Sequence, residues 1–307
     1  DQTQDDPDAP QATAAGANVS PRLGLSAALE HKSGDVAGRY RVTSRHAQGG
    51  LGRILLAQDT RLGRPVAIKE GLKQGLGAEA RFLEEARITA GLEHPGIVPV
   101  HDVGRWPEGE PFYVMKFVEG RPFKQVLQEC RTLESRLTLV PNVLAVVDAM
   151  SYPHSRRVVH LDIKPSNILV GQHGETVVVD WGMARDLETL EDGSTAAVVS
   201  AGGTPAYMAP EQAAGGEVDA RTDVYALGAV LYELLTGRPP YIGGPDTVVG
   251  AVLAGPPPRA QTLQPGIPRD LLAILAKAMA RNPAQRYPTA AALGADVRAF
   301  QNGQIVS

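Results

Sequence analysis

The stretch Val158-Val159-His160-Leu161-Asp162-Ile163-Lys164-Pro165-Ser166-Asn167-Ile168-Leu169-Val170 decides how the rest of the chain is read. It sets a carboxylate at 162, an ammonium two residues later and a side-chain amide three beyond that, between apolar runs that read as short buried strands. One loop with this spacing presents all three groups to one cleft. Further on, Val177-Val178-Val179-Asp180-Trp181-Gly182 puts a second carboxylate at the end of a β-branched run, where a strand should stop. Two acids and an amide that converge make an oxygen-rich site for Mg²⁺, and a metal held this way needs a ligand to clamp.

Working upstream, Arg39 to His46 reads as a first strand, Gly49-Gly50-Leu51-Gly52 as a turn and Arg53 to Gln58 as the return. After the turn Asp59-Thr60-Arg61-Leu62-Gly63, Pro65 to Glu70 is a third strand. Glycines let backbone N–H groups approach phosphate oxygens with no Cβ in the way, although such a run by itself describes a plain hairpin equally well. Val66-Ala67-Ile68-Lys69 carries an ammonium on an apolar strand; pointing inward it needs an anionic partner, and pointing outward it is a solvated edge lysine. Ala78 to Leu92 has helical spacing, with Phe82, Ala86 and Thr89 on one side and Glu85 close to that face. His94-Pro95-Gly96-Ile97-Val98 breaks that helix and begins a fourth strand, Pro111 to Phe117 is a fifth, and Val118-Glu119-Gly120 is a polar turn that composition alone makes an ordinary loop.

Downstream the pattern is helical: Phe123 to Glu129, then Pro141 to His154 with Val143, Val146, Val147 and Met150 as a buried stripe. Pro141 suits a first helical position, and Pro153 is expected to end the helix early. Thr222-Asp223-Val224-Tyr225 opens an apolar helix running to Leu235, with Asp223 open to an N-cap reading. Leu271 to Ala280 and Ala290 to Gln301 complete the helices.

Taken in this order the motifs resemble those of a protein kinase, specifically a bacterial Ser/Thr kinase of the eukaryotic-like family, over roughly residues 39 to 302. The resemblance implies an α+β, bilobal protein-kinase fold, with a small antiparallel β N-lobe carrying one helix and a larger, mainly helical C-lobe. The divisions it implies are a flexible tail over residues 1–38, N-lobe and hinge over 39–118 and C-lobe over 119–307. It implies ATP and Mg²⁺ as cofactors and a protein substrate bearing Ser or Thr.

By the same resemblance Ala47, Gly49, Gly50 and Gly52 would cradle phosphate, while Ile54 and Ala67 from above and Leu169 from below would sandwich adenine. Met115 would be the gatekeeper, and the main chain of Lys116 and Val118 would meet the adenine edge. Lys69 would hold the α- and β-phosphates and pair with Glu85. Asp162 would accept the substrate hydroxyl proton, Lys164 would steady the γ-phosphate, and Asn167 and Asp180 would hold Mg²⁺. In Gly203-Thr204-Pro205-Ala206-Tyr207-Met208, similar to a substrate-docking loop, Thr204 would bond toward Asp162 and Lys164. Asp223 would brace the catalytic loop, and Glu211 would pair with Arg286. The segment between Asp180 and Glu211 would be an activation segment, with Thr189, Ser194, Thr195 and Ser200 as candidate phosphosites.

Several positions depart from the family pattern. Ala47 takes the place of the first glycine, and His46 that of an apolar residue above adenine. Arg157 stands where a turn glycine is common, and Trp181 replaces Phe. Leu161 occupies the place of an arginine that reads out a phosphorylated activation loop through charge-assisted bonds, which leucine cannot make. Leu161 and Pro153 keep a second reading open, a pseudokinase serving as a nucleotide-sensing or scaffolding module.

A chain of 307 residues, 43% hydrophobic and 21% charged, can bury a sizeable core. Its net charge of −4 offers no general attraction to nucleic acid or anionic lipid. The single Cys130 excludes an internal disulfide framework and fits a cytoplasmic setting. No apolar run approaches the ~18 to 20 residues of a membrane helix, and the N-terminus has no basic, then apolar, leader pattern. Residues 1 to about 35, with Asp1, Asp5, Asp6 and Asp8 and few large apolar side chains, read as a flexible tail with a short helix near Leu25 to His31. The chain starts without Met, so a fragment of a longer protein is expected, with a sensor or membrane segment beyond its ends.

Overall fold

Alternation along the strands builds the first half of the molecule. On β3 (Arg64–Gly71) Val66 and Ile68 go to one face while Ala67 and Lys69 go to the other. The strand β5 (Pro111–Lys116) repeats this with Phe112 and Val114 against Tyr113 and Met115. With β1 (Tyr40–Gln48), β2 (Gly52–Asp59) and β4 (Val100–Arg105) they form one antiparallel sheet in the order β1-β2-β3-β5-β4. The computed structural model describes residues 38–48, 52–71, 75–189 and 204–306. The tail, Gly49, Gly50, Ser194, Thr195 and Ser200 fall outside them.

One face of the sheet takes helix α1 (Gly75–Ala90), whose Phe82 and Ala86 pack on Tyr113. The other face closes over Tyr40, Leu55, Ala57, Val66, Ile68, Phe112 and Val114, with Trp106 against them. The edge strands β1 and β4 are tied together there. Tyr40 donates to Asp102 at 3.2 Å, and Arg39 donates to the fully buried Asp59 at 2.6 Å. One expectation fails at this end: the fourth strand starts at Val100, not within 94–98. Pro95 and Gly96 turn the chain instead, Gly96 N–H donating to His94 Nδ1 at 3.0 Å, and Ile97 only bridges Val178.

Beyond the short strand β6 (Gly120–Pro122) come helices α2 (Phe123–Glu129), α3 (Leu133–Leu137) and α4 (Val140–Ser155). The helix α4 buries the expected stripe of Val143, Val146, Val147 and Met150. Pro153 does not end it early, as helix persists to Ser155. Pro153 forfeits the N–H bond to the Ala149 carbonyl, but only two helical residues follow it, so the loss falls at the helix end and interrupts no further turn. The strands β7 (Val158–Val159), β8 (Ile168–Gly171), β9 (Thr176–Val178) and β10 (Arg185–Asp186) then form small sheets, β6-β8-β9 and β10-β7, around the loop 160–167.

After the short α5 (Pro210–Ala213) comes α6 (Ala220–Thr236), buried along nearly its whole length, which is the axis of the helical half. Asp219 caps it through a box with Thr222, and Gly237 ends it at φ +76°. Four further helices, α7 (Pro245–Ala254), α8 (Ala260–Leu263), α9 (Arg269–Ala278) and α10 (Ala290–Gln301), follow. Of these, α9 and α10 pack on α6, and α10 also on α4. No helix among the described residues is long and apolar enough to cross a membrane.

Candidate active site

The loop after β7 turns through Leu161 at φ +63°, and Asp180 after β9 has the same φ. A left-handed backbone costs a non-glycine residue roughly 1–2 kcal/mol, so each such residue must be held. Asp223 holds the first one. Fully buried in the first turn of α6, it accepts the N–H of His160 at 2.8 Å and that of Leu161 at 2.9 Å, and lies 2.9 Å from His154 Nε2. The capping role belongs to Asp219, so the N-cap reading of Asp223 fails. Burial alone would raise the Asp223 pKa; the hydrogen bond to His154 and the nearby imidazoles and amides outweigh it and leave it lowered. From the other side the buried amide of Gln212 donates to Leu161 O at 2.8 Å. Sequence reasoning overlooked Gln212; its only signal was a polar residue directly after Pro210-Glu211.

This clamp sets the reach of Asp162. Its Oδ2 accepts from Lys164 Nζ at 2.7 Å and from Asn167 Nδ2 at 3.0 Å, and its Oδ1 accepts the backbone N–H of Thr204 at 3.3 Å. The expected contact of Thr204 with Asp162 is therefore made, through its main-chain N–H. His160 turns inward, accepting Asp162 N–H on Nδ1 at 3.2 Å and lying on Trp181 with ring centroids 4.6 Å apart.

Lys69 points inward from β3 and is 7% exposed, so it is no solvated edge lysine. Its Nζ donates to Glu85 Oε1 at 2.5 Å and to Asp180 Oδ1 at 2.9 Å. Burial alone would lower the Lys69 pKa, but the two carboxylates outweigh it and raise it. Asp180 shows the mirror effect, its pKa lowered because Lys69 outweighs the burial. Tyr113 OH gives Glu85 a second donor, at 2.8 Å from Oε1. Sequence reasoning missed Tyr113 too, although period-2 alternation on β5 could have placed it facing α1.

Around these charges the walls are apolar. Ile54 lies opposite Lys69 on β2, and Ala67 lies opposite Met115. Val98, Val118 and Val177 form a buried cluster with Met115 and Leu169 packed on it, and the Lys116 N–H donates to Pro99 O at 3.0 Å. Gly52 cannot be replaced cheaply, since a Cβ there would come 2.5 Å from Glu70 O. Ala47 sits on β1 opposite Ile54.

The oxygens of Asn167 and Asp180 suit Mg²⁺, a hard cation that takes few protein oxygens and fills its octahedron with phosphate and water. The Asp180 side chain is 48% exposed, with only one oxygen engaged by Lys69. No cluster of three or more His, Cys, Asp or Glu suited to a metal occurs among the described residues, so a self-sufficient protein cage is absent there.

Leu161 lies in a buried apolar cluster with Val159, Met183 and Val218, against which Leu187 packs. The strand β10 pairs with β7 beside it. Below, Glu211 takes two bonds from Arg286, both 2.7 Å, and one from Thr222 at 2.9 Å. Arg286 also lies over the Tyr225 ring, 5.0 Å from its centroid.

Residues 40–296 match the protein kinase domain family. The chain is 37% identical over 280 residues to a probable serine/threonine-protein kinase of Streptomyces coelicolor, covering 88% of this chain and 41% of the relative. It is also 37% identical over 279 residues to the serine/threonine-protein kinase PknB of Mycobacterium tuberculosis, covering 87% and 43%. The chain thus spans about two fifths of the length of these curated relatives. The crystal structure of the Mycobacterium tuberculosis PknI kinase domain superposes with a TM-score of 0.66 at 25% identity, covering 87% of this chain and 98% of that one.

Proposed function

The chain belongs to the protein kinase domain family, and from that premise we propose that it transfers the γ-phosphoryl group of Mg²⁺-bound ATP to Ser or Thr hydroxyls of protein substrates. The observation that carries this reading is the joint presence, around one cleft, of the Lys69–Glu85 pair and of Asp162 held by Lys164 and Asn167.

Phosphoryl transfer asks mainly for positioning and charge neutralisation. Lys69, steadied by Glu85, aligns the α- and β-phosphates. Asp162 accepts the proton of the incoming hydroxyl, and Lys164 faces the γ-phosphate. Asn167 and Asp180 would hold the metal, which would supply charge neutralisation at the phosphates. Ile54, Ala67 and Leu169 flank adenine and Met115 backs it, while the hinge main chain at Lys116 and Val118 meets its edge. Ala47 and Gly52 flank the turn assigned to the phosphates, and Thr204 links the docking loop to Asp162.

The test is incubation with γ-labelled ATP, Mg²⁺ and a basic protein rich in Ser and Thr, with a chelator control. Label recovered on phosphoserine or phosphothreonine only when Mg²⁺ is present is the expected result. Nucleotide binding with no transfer to any substrate would favour a sensing or scaffolding module instead.

A further inference from the structure

Glu85 receives two donors on one oxygen. Lys69 Nζ lies 2.5 Å from Oε1 and Tyr113 OH lies 2.8 Å from the same atom. The donors come from facing positions on adjacent strands, since Lys69 and Tyr113 pair in the β3–β5 register, whereas the acceptor rides on α1. All three residues are buried, at 7%, 2% and 4% exposure for Lys69, Tyr113 and Glu85.

The two donors differ in stiffness. A lysine ammonium ends a flexible four-carbon stem and can follow a carboxylate that moves. A phenol hydroxyl is carried by a rigid ring, and this ring is packed on Phe82 of α1 with centroids 5.3 Å apart. Burial and the neighbouring Glu85 carboxylate push the Tyr113 pKa well up, so the group stays a donor at working pH. Hydrogen bonds to a buried charge are the strong kind.

We propose that Tyr113 is a positioning residue: its hydroxyl latches Glu85, and with it α1, to the sheet, so that Lys69 is aligned without help from a phosphate on the activation segment. The inference rests on the kinase reading above for its functional consequence, though not for the latch itself. It also fits the apolar setting of Leu161, because a helix fixed from the strand side needs no charge relay from the loop side.

Tyr113→Phe isolates the hydroxyl, since the ring and its contact with Phe82 remain. Transfer rate at saturating ATP should fall about tenfold, and amide exchange across residues 79–90 should quicken by about the same factor while that of α6 stays unchanged. In a Glu85→Ala background, adding Tyr113→Phe should alter helix exchange by less than about twofold, because the acceptor is gone. Unchanged rate and exchange in Tyr113→Phe, or an effect that persists in full without Glu85, would show that the ring is packing alone and overturn the proposal. If wild-type protein transfers no phosphate the kinase reading fails by itself, and the exchange comparison still decides the latch.

Discussion

The side-chain amide of Gln212 donates to the main-chain oxygen of Leu161 at 2.8 Å while Asp223 accepts the N–H of the same residue at 2.9 Å, so the left-handed turn before Asp162 is gripped from both sides. Removing one grip leaves a buried acceptor unpaired, at a cost of about 1–3 kcal/mol, and frees the strained residue to relax. Gln212→Ala should therefore lower kcat about tenfold or more and lower Tm by several degrees, read by steady-state kinetics and a thermal melt. Gln212→Glu should do no better, because an ionised carboxylate cannot donate. Wild-type kcat in Gln212→Ala would sink the idea.

A second prediction concerns regulation. Leu161 offers no charge to a phosphate, and the Arg185 guanidinium already donates to Met183 O at 3.2 Å and Ala184 O at 2.7 Å. The described residues after Asp180 are held instead by the apolar cluster and by β10 pairing with β7. Changing Thr189, Ser194, Thr195 and Ser200 together to Ala should leave the initial rate within about threefold of both phosphatase-treated and fully phosphorylated enzyme. A hundredfold drop, equal to ~2.7 kcal/mol in barrier, would point to a phosphate receptor elsewhere in the chain.

Acid should loosen the sheet through Asp59. Its bond to Arg39 holds its pKa down at about 2, against an ordinary 3.8. A carboxylate with a lowered folded pKa stabilises fully above its unfolded pKa and loses that contribution as pH falls toward the folded value, here between about pH 4 and 2. With allowance for water around Arg39, the contribution is about 1–2 kcal/mol. Urea titrations of wild type and Asp59→Asn at pH 7 and pH 2.5 should show the full difference at the first pH and less than about half of it at the second. A gap undiminished at pH 2.5 would assign the effect to hydrogen bonding instead of charge.

How much of this was legible in the sequence follows from the physics of each feature. Period-3.6 spacing put Glu85 near the buried face of its helix, but the strand pattern left Lys69 open between an inward and an edge position, and only the fold brings it 2.5 Å from Glu85. Asp219 and Asp223 stand one helical turn apart in sequence, and local chemistry cannot say which one caps and which one reaches the loop. Helix α7 escaped notice because only Val248 and Val252 of it are buried, too short a stripe to reveal a period. The Thr204 contact with Asp162 was expected from the resemblance, but its main-chain donor carries no side-chain signature. Tyr113 and Gln212 went unseen for a related reason: each acts on an atom 28 or 51 residues away, through a distance that only the fold closes.

The most direct test of the whole account is the rate of phosphate transfer by Asp162→Asn beside wild type, with Mg²⁺-ATP binding measured on both. Asparagine keeps the size of the side chain but cannot accept the hydroxyl proton as a carboxylate does. The account predicts retained nucleotide binding and a transfer rate reduced by about a hundredfold or more, in line with the ~10²–10⁴-fold contribution of a general base. Transfer at the wild-type rate by Asp162→Asn would contradict it.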